Sequence, residues 1–273
     1  MQMKKFIVPA RMGAGAMLLA GAALLAGCAS TGDSGGNVMG SGTAVTASDP
    51  TRFTRSGFLS DYAKLKPTSW GEGLECWRAA DVDVARYDKV MIARMTVTLK
   101  PDQQQGIDPV DLKALTDYFH DSLVKAFKAQ TQVVDAPGPG VAVMRVALTN
   151  LVPTAVAESV TGTLVPYGFV AEAGAGAATG RPAGSTPYMG ETGMEMQFRD
   201  GASGAILAEC RDTEIGRKYA ASMNAGAVGA AQTWASGYLN SFQSWSYAKN
   251  AFDRWATLTA QRFAELRRAK SAP

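Results

Sequence analysis

The sequence predicts an α+β fold: a two-layer sandwich in which a mixed or mostly antiparallel sheet of about four to five strands carries two main helices on one face. Three observations predict it. Two long stretches, about residues 108–130 and 244–269, place apolar residues at spacings of three and four, the mark of a helix with one buried stripe. Met194-Glu195-Met196-Gln197-Phe198-Arg199 alternates strictly, as a strand with one buried and one wet face does. The element order (strand, helix, strands, hairpin, helix) suits helices layered on a sheet.

The elements follow in order. Residues 29–50 are Gly, Ser and Thr rich and cannot bury enough apolar surface to offset their ordering entropy; they read as a flexible tether with a reach on the order of 25 Å. The remainder, 51–273, is long enough for one domain with a sizeable core. Its first part, Arg52 to Asp88, reads as irregular and aromatic, with Phe53, Phe58, Tyr62, Trp70 and Trp77. Lys89 to Leu99 reads as a strand. Asp108-Pro109-Val110-Asp111 starts the first helix: Asp108 caps it, Pro109 suits its first position and Asp111 complements its dipole. Its stripe is Leu112, Leu115, Phe119, Leu123 and Phe127. A short strand at Gln132 to Asp135 precedes Pro137-Gly138-Pro139-Gly140.

Val141 to Leu151 reads as the next strand. Residues 152–192 are Gly, Ala, Pro and Thr rich and read as a loop. The alternating strand turns at Asp200-Gly201-Ala202-Ser203-Gly204 and returns over Ala205 to Glu214 as a hairpin. The last helix has the stripe Trp245, Ala248, Phe252, Trp255, Thr259, Phe263 and Leu266.

Ahead of all this stands Lys4, Lys5 and Arg11, then an uncharged run from Met12 to Gly27. That is the order of a secretory signal, and the run falls short of the roughly 20 apolar residues that span a bilayer. Leu25-Ala26-Gly27-Cys28 resembles the lipobox of bacterial lipoproteins. The resemblance implies cleavage between Gly27 and Cys28 and acylation of Cys28, with more than one chain for a stable anchor. Ala29 after the cysteine implies the outer membrane, the chain facing the periplasm. Loss of residues 1–27 removes three of the 27 Lys and Arg and none of the 24 Asp and Glu, leaving 24 against 24. No nucleic-acid partner is implied.

Four stretches carry a wider resemblance: Gly57-Phe58-Leu59-Ser60-Asp61-Tyr62, Tyr87-Asp88-Lys89-Val90, Phe198-Arg199-Asp200-Gly201 and Ala251-Phe252-Asp253-Arg254-Trp255-Ala256. In this order behind a lipobox the chain resembles a family of Gram-negative bacterial lipoproteins catalogued as a domain of unknown function, number 3313. The resemblance implies an envelope lipoprotein with one domain and supplies no catalytic residues.

Chemistry is sparse. Hydrolysis by a Ser-His-Asp or Cys-His set needs a histidine, and His120, the single one, sits inside the first helix. No metal set or cofactor is implied: one His and no close Cys pair make no zinc site, and no Asp-rich calcium loop is present. Gly174-Ala175-Gly176-Ala177-Ala178-Thr179-Gly180 lacks the Gly-Lys-Ser/Thr of a phosphate loop. Cys76 and Cys210 form a candidate disulfide in an oxidising periplasm, two buried free thiols being the alternative. Trp70 and Trp234 lie in Gly- and Ser-containing segments and are candidate partner contacts.

The expected role is an outer-membrane-anchored periplasmic lipoprotein, non-enzymatic, acting as an accessory or binding protein of the envelope. Its partners would be the membrane, through the N-terminal lipid, and an envelope protein. One alternative is an oligomeric export or channel component with the Gly-rich segment inserted as a hairpin. Another is a carboxylate-dependent hydrolase drawing on Glu158, Glu172, Glu191 or Glu195.

Overall fold

Alternation of side chains across three long neighbouring strands sets the centre of the molecule. The computed structural model describes residues 44–47, 53–155, 190–217 and 245–271. In chain order the elements are β1 (Ala44–Ala47), β2 (Lys66–Pro67), β3 (Glu75–Arg78), β4 (Lys89–Ile92), β5 (Thr96–Val97), α1 (Pro101–Gln105), α2 (Pro109–Lys128), β6 (Gln132–Val134), β7 (Val141–Val152), β8 (Glu191–Asp200), β9 (Ile206–Arg217) and α3 (Ser246–Ser271). The strands form one mixed sheet in the order β2-β3-β9-β8-β7-β4-β6, with β1 also paired to β9 and β5 to β7. β4 and β5 run parallel to β7, and β4 parallel to β6; the other pairs are antiparallel.

The sheet is larger than the four to five strands expected: nine strands are present among the described residues. The extra ones are short pieces that no period of two can mark. β2 and β3 lie in the segment expected to be irregular, and β1 lies in the stretch expected to be tether. The single strand expected over Lys89 to Leu99 is two. Ile92 pairs with Met144 and Thr96 with Ala147, so one more residue lies on the edge side than on β7, and the ladder breaks there.

Even-numbered positions of β7 and β8 face the helices. Met144, Val146 and Leu148 of β7 and Met194 and Met196 of β8 share one core with Leu115, Phe119, Leu123 and Phe127 of α2 and with Tyr247, Phe252, Trp255 and Phe263 of α3. The two helices pack through aromatic rings: Phe119 stacks on Phe252 at 4.4 Å, and Phe127 meets Phe263 edge-on at 5.8 Å. Asp108 caps α2 as expected, accepting from the Val110 backbone N–H at 2.8 Å. Tyr118 and Ser122 of α2 both donate to Asp253 of α3, at 2.8 and 2.6 Å.

The odd-numbered face is where the strict alternation misleads. Glu195 and Glu209 are fully buried and Gln197 nearly so, although the pattern places them in water. The cover is the segment before β2. The Ser56 backbone N–H and hydroxyl both donate to Glu195, and the Tyr62 hydroxyl sits 2.9 Å from each oxygen of the same carboxylate. Ser60 repeats the arrangement on Glu209, through its backbone N–H at 2.8 Å and its hydroxyl at 2.7 Å. Gln197 adds a donor to Glu209. Buried carboxylates are tolerable only when so satisfied. Cations close the layer: Arg211 pairs with Glu75 at 2.7 Å and lies 4.9 Å from the Phe53 ring centroid, and Arg145 lies 4.9 Å from that of Phe58.

The β8–β9 turn forms as expected. Asp200 Oδ1 accepts from the backbone N–H groups of Ala202 and Ser203 and from the Ser203 hydroxyl, while Gly204 takes φ +74°, which favours glycine. These donors, with Tyr87 at 2.9 Å, hold the Asp200 carboxyl down at about 2. Gly201 admits the 138–141 backbone: a Cβ there would lie 2.7 Å from the carbonyl oxygens of Gly138 and Val141.

At the other end of β9, Asp212 is buried and accepts from the Trp255 indole N–H at 2.8 Å. Burial pushes its carboxyl up to about 6, against the indole, the Arg254 charge and the Thr213 N–H. Arg254 pairs with Glu214 and lies 3.8 Å from Asp212, and the Glu72 charge adds to the rise. An unfolded aspartate titrates near ~3.9. Between about pH 4 and 6 the folded chain therefore holds a proton that the unfolded chain has lost, and this group's effect is a gain in stability on acidification. Asp200 acts oppositely: its contribution is complete above about pH 4 and is lost as pH falls toward 2. Thermal melts should rise as pH drops from 7 to 5, and Asp212→Asn should flatten that rise by about 1 kcal/mol. Parallel curves for the two proteins would overturn this assignment.

Candidate functional site

The lower half of α3 does not close onto the sheet edge. Between them lies a cavity of about 370 Å³, within the roughly 300–1,000 Å³ of small-ligand pockets. Its floor is the helix-facing side of the sheet: Ala142, Phe198, Ala208 and Cys210, then Cys76 and Arg78 of β3. One wall is α3, with Thr259, Arg262, Phe263 and Leu266; the other is the 66–70 segment with Val82, Val84 and Tyr87.

Each part has a local cause. The stripe of α3 turns Phe263 toward the core, where it stacks against Phe198 at 6.3 Å; Leu266, one turn on, is only partly buried and forms the open edge. A turn positions Trp70: Thr68 N–H donates to the Leu74 carbonyl at 2.9 Å and the Thr68 hydroxyl to the Gly71 carbonyl at 3.1 Å. The Arg262 guanidinium lies 5.9 Å from the Trp70 ring centroid. Tyr87 is fixed from behind by its bond to Asp200, and its hydroxyl is pushed up to about 12 by burial and that carboxylate.

Three of the residues singled out from sequence meet here. Cys76 and Cys210 are direct partners in the β3/β9 ladder, with Cα atoms 4.1 Å apart and sulfurs 2.09 Å apart, and both line the cavity. Trp70 is half-buried against the core rather than free in solvent, and its ring is a wall. Gly27, Cys28 and Trp234 lie outside the described residues, as do Glu158, Glu172 and residues 156–189 of the Gly-rich stretch. His120 is half-buried on α2, away from the lining.

The remaining carboxylates singled out are engaged elsewhere. Glu195 is held by Ser56 and Tyr62 as above, and Glu191 accepts from Asn150 at 2.9 Å, whose own oxygen accepts from Gln103 at 2.7 Å. Among the described residues, no group of three or more His, Cys, Asp and Glu side chains is placed to hold a metal ion, and no helix is long and apolar enough to cross a membrane.

Sequence reasoning missed Arg262, Phe198 and Tyr87 as lining residues. Phe198 reads as a strand residue and Tyr87 as part of the irregular Arg52 to Asp88 segment, and Arg262 sits beside an apolar stripe without belonging to it. The available cue was the company of Arg262: Thr259, Phe263 and Leu266 share its side of α3, and Trp70 alone among the N-terminal aromatics follows a Thr-Ser pair. Chemically, the cavity offers aromatic and aliphatic surface, hydroxyls from Thr68, Ser69 and Thr259, and a cationic rim. Among the described lining residues there is no carboxylate or histidine.

The family model described as "Protein of unknown function (DUF3313)" matches residues 54–238. No curated protein matches the chain. Among solved structures, the chain is similar to the PelC dodecamer from Paraburkholderia phytofirmans, at 12% identity over 62% of this chain and 98% of that one, with a TM-score of 0.29. A substituted form of the same dodecamer gives 13%, 63%, 98% and 0.29. A Xanthomonas campestris protein of the DUF330 family model matches at 13% identity, over 66% of this chain and 92% of that one, with a TM-score of 0.27.

Proposed function

The chain belongs to the DUF3313 family, and on that footing we propose that it is a lipid-anchored, periplasm-facing lipoprotein of the outer membrane. Its work is binding, not catalysis: it is an accessory protein of the envelope that holds an apolar ligand or partner group in the cavity beside α3. The observation that carries the reading is the lining itself, aromatic and aliphatic around Trp70, Phe198, Phe263 and Leu266, without a carboxylate or histidine among the described lining residues. The lipobox ending at Cys28 and the balance of 24 basic and 24 acidic residues after Gly27 support the location. The reading treats the domain as a two-layer sandwich, supported by the core that α2 and α3 share with β7 and β8.

Two measurements test it. Cys28→Ser should move the protein from the membrane to the soluble fraction; unchanged fractionation would end the anchor. A photo-crosslinking phenylalanine at position 70 should trap a ligand or partner in cells, whereas the same group at Val110, 74% exposed on α2, should trap none. Equal yields at the two positions would end the binding role.

A further inference from the structure

Resting on that binding role, we infer that the ligand is a long-chain fatty acid, its acyl chain lying between Phe198, Phe263 and Leu266 and its carboxylate held by Arg262, Arg78 and Lys66. The charge distribution carries the assignment. Lys66, Arg78 and Arg262 line the cavity, and no acidic residue does among the described residues, in a chain whose charges balance beyond Gly27.

The strand register puts the two exposed cations on the cavity side. Lys66 is opposite Cys76, and Arg78 is opposite Ala208. Positions 76 and 78 share one face of β3, the face that bears the bond to Cys210. Neither Lys66 nor Arg78 is ion-paired with a carboxylate among the described residues, so both are free to take an anion. Arg262 has Glu265 at 3.1 Å, but that pair is surface-exposed and within one helical turn; such pairs are worth little and yield readily to a better acceptor. A planar guanidinium beside an aromatic ring is suited to a carboxylate, which it can grip with two N–H groups.

The size of the cavity selects the tail. At about 370 Å³ it lies near the small end of ligand pockets and suits one acyl chain, not the two of a membrane phospholipid. Its walls are rings and branched side chains with few hydroxyls. Each methylene buried there raises affinity roughly fourfold, while the cationic rim discriminates between heads.

The test uses the full-length chain in isolated membranes, with palmitate carrying a photoactivatable group near its methyl end, and peptide mass spectrometry to locate adducts. Adducts are expected on Phe198 and on the 263–266 turn of α3. Excess palmitate should compete; hexadecanol, with the same chain and no charge, should compete at least about tenfold more weakly, the factor carried by roughly 1.4 kcal/mol. Lys66→Glu combined with Arg78→Glu, both exposed, should cut labelling about tenfold. Leu266→Trp, which fills the open edge without changing charge, should cut it too. Protease resistance of each variant reports that the domain is folded. Hexadecanol competing as well as palmitate, labelling indifferent to the charge reversals, or tighter competition by lysophosphatidylglycerol would overturn the fatty-acid assignment. If position 70 still traps another ligand, the binding role stands and only the ligand class falls; if it traps nothing beyond the Val110 level, both fall.

Discussion

Trp255→Ala is expected to remove most of the domain's stability. The side chain is almost wholly buried. It lies at the meeting of the two helices, 5.8 Å from Phe119 and 6.1 Å from Phe252 between ring centroids. Truncating a buried Trp costs about 3–5 kcal/mol through lost burial and the remaining cavity. Here the indole also donates to Asp212, so alanine leaves a buried carboxyl short of a donor, at roughly 1–3 kcal/mol more. The sum approaches the ~5–15 kcal/mol that an ordinary domain has in all. Urea denaturation measures it, and Trp255→Phe separates the parts: it keeps an aromatic ring and loses the donor, so its loss should be the smaller one. A change below about 1 kcal/mol for Trp255→Ala would show that α3 is not pinned where it is drawn.

The Cys76–Cys210 bond carries the second large expectation. It joins residues 134 apart in sequence, and closing so long a loop removes freedom from the unfolded chain worth about 4–5 kcal/mol. The double variant Cys76→Ser, Cys210→Ser should lower stability by that order, and reductant alone should do the same to the native protein. Thiol alkylation of the denatured, unreduced chain should find neither cysteine reactive. Two reactive thiols at these positions would remove the cross-link, and with it the fixed floor of the pocket.

The helices were legible because their signals are local. Leu115, Phe119, Leu123 and Phe127 recur on one face whatever packs against them, and Asp108-Pro109 marks a start by its own chemistry. Phe252, Trp255 and Phe263 were equally plain. Tyr247 is not part of the expected stripe, yet it is fully buried and donates to the Val152 carbonyl. The odd face of the sheet could not be read. Glu195 and Glu209 look like surface acids in any window around them, and what buries them, Ser56, Ser60 and Tyr62, lies more than 130 residues away.

The candidate site divides in the same way. Cys76, Cys210 and Trp70 drew notice by residue type, and they converge. The cavity itself is a failure of α3 to meet the sheet edge, and no spacing in a sequence records a gap. The short motifs that carry the family resemblance proved to be fasteners: Ser60 and Tyr62 on Glu209 and Glu195, Tyr87 on Asp200, Asp253 on α2 and Trp255 on Asp212.

The clasp of Ser56, Ser60 and Tyr62 onto Glu195 and Glu209 also dictates an order of events. A nascent chain emerges N-terminus first, yet these serines have nothing to grip until β8 and β9, synthesised some 140 residues later, have paired. Contacts so distant in sequence form late and slowly. This stretch is therefore made early and fastened late. Until the hairpin arrives it remains open chain.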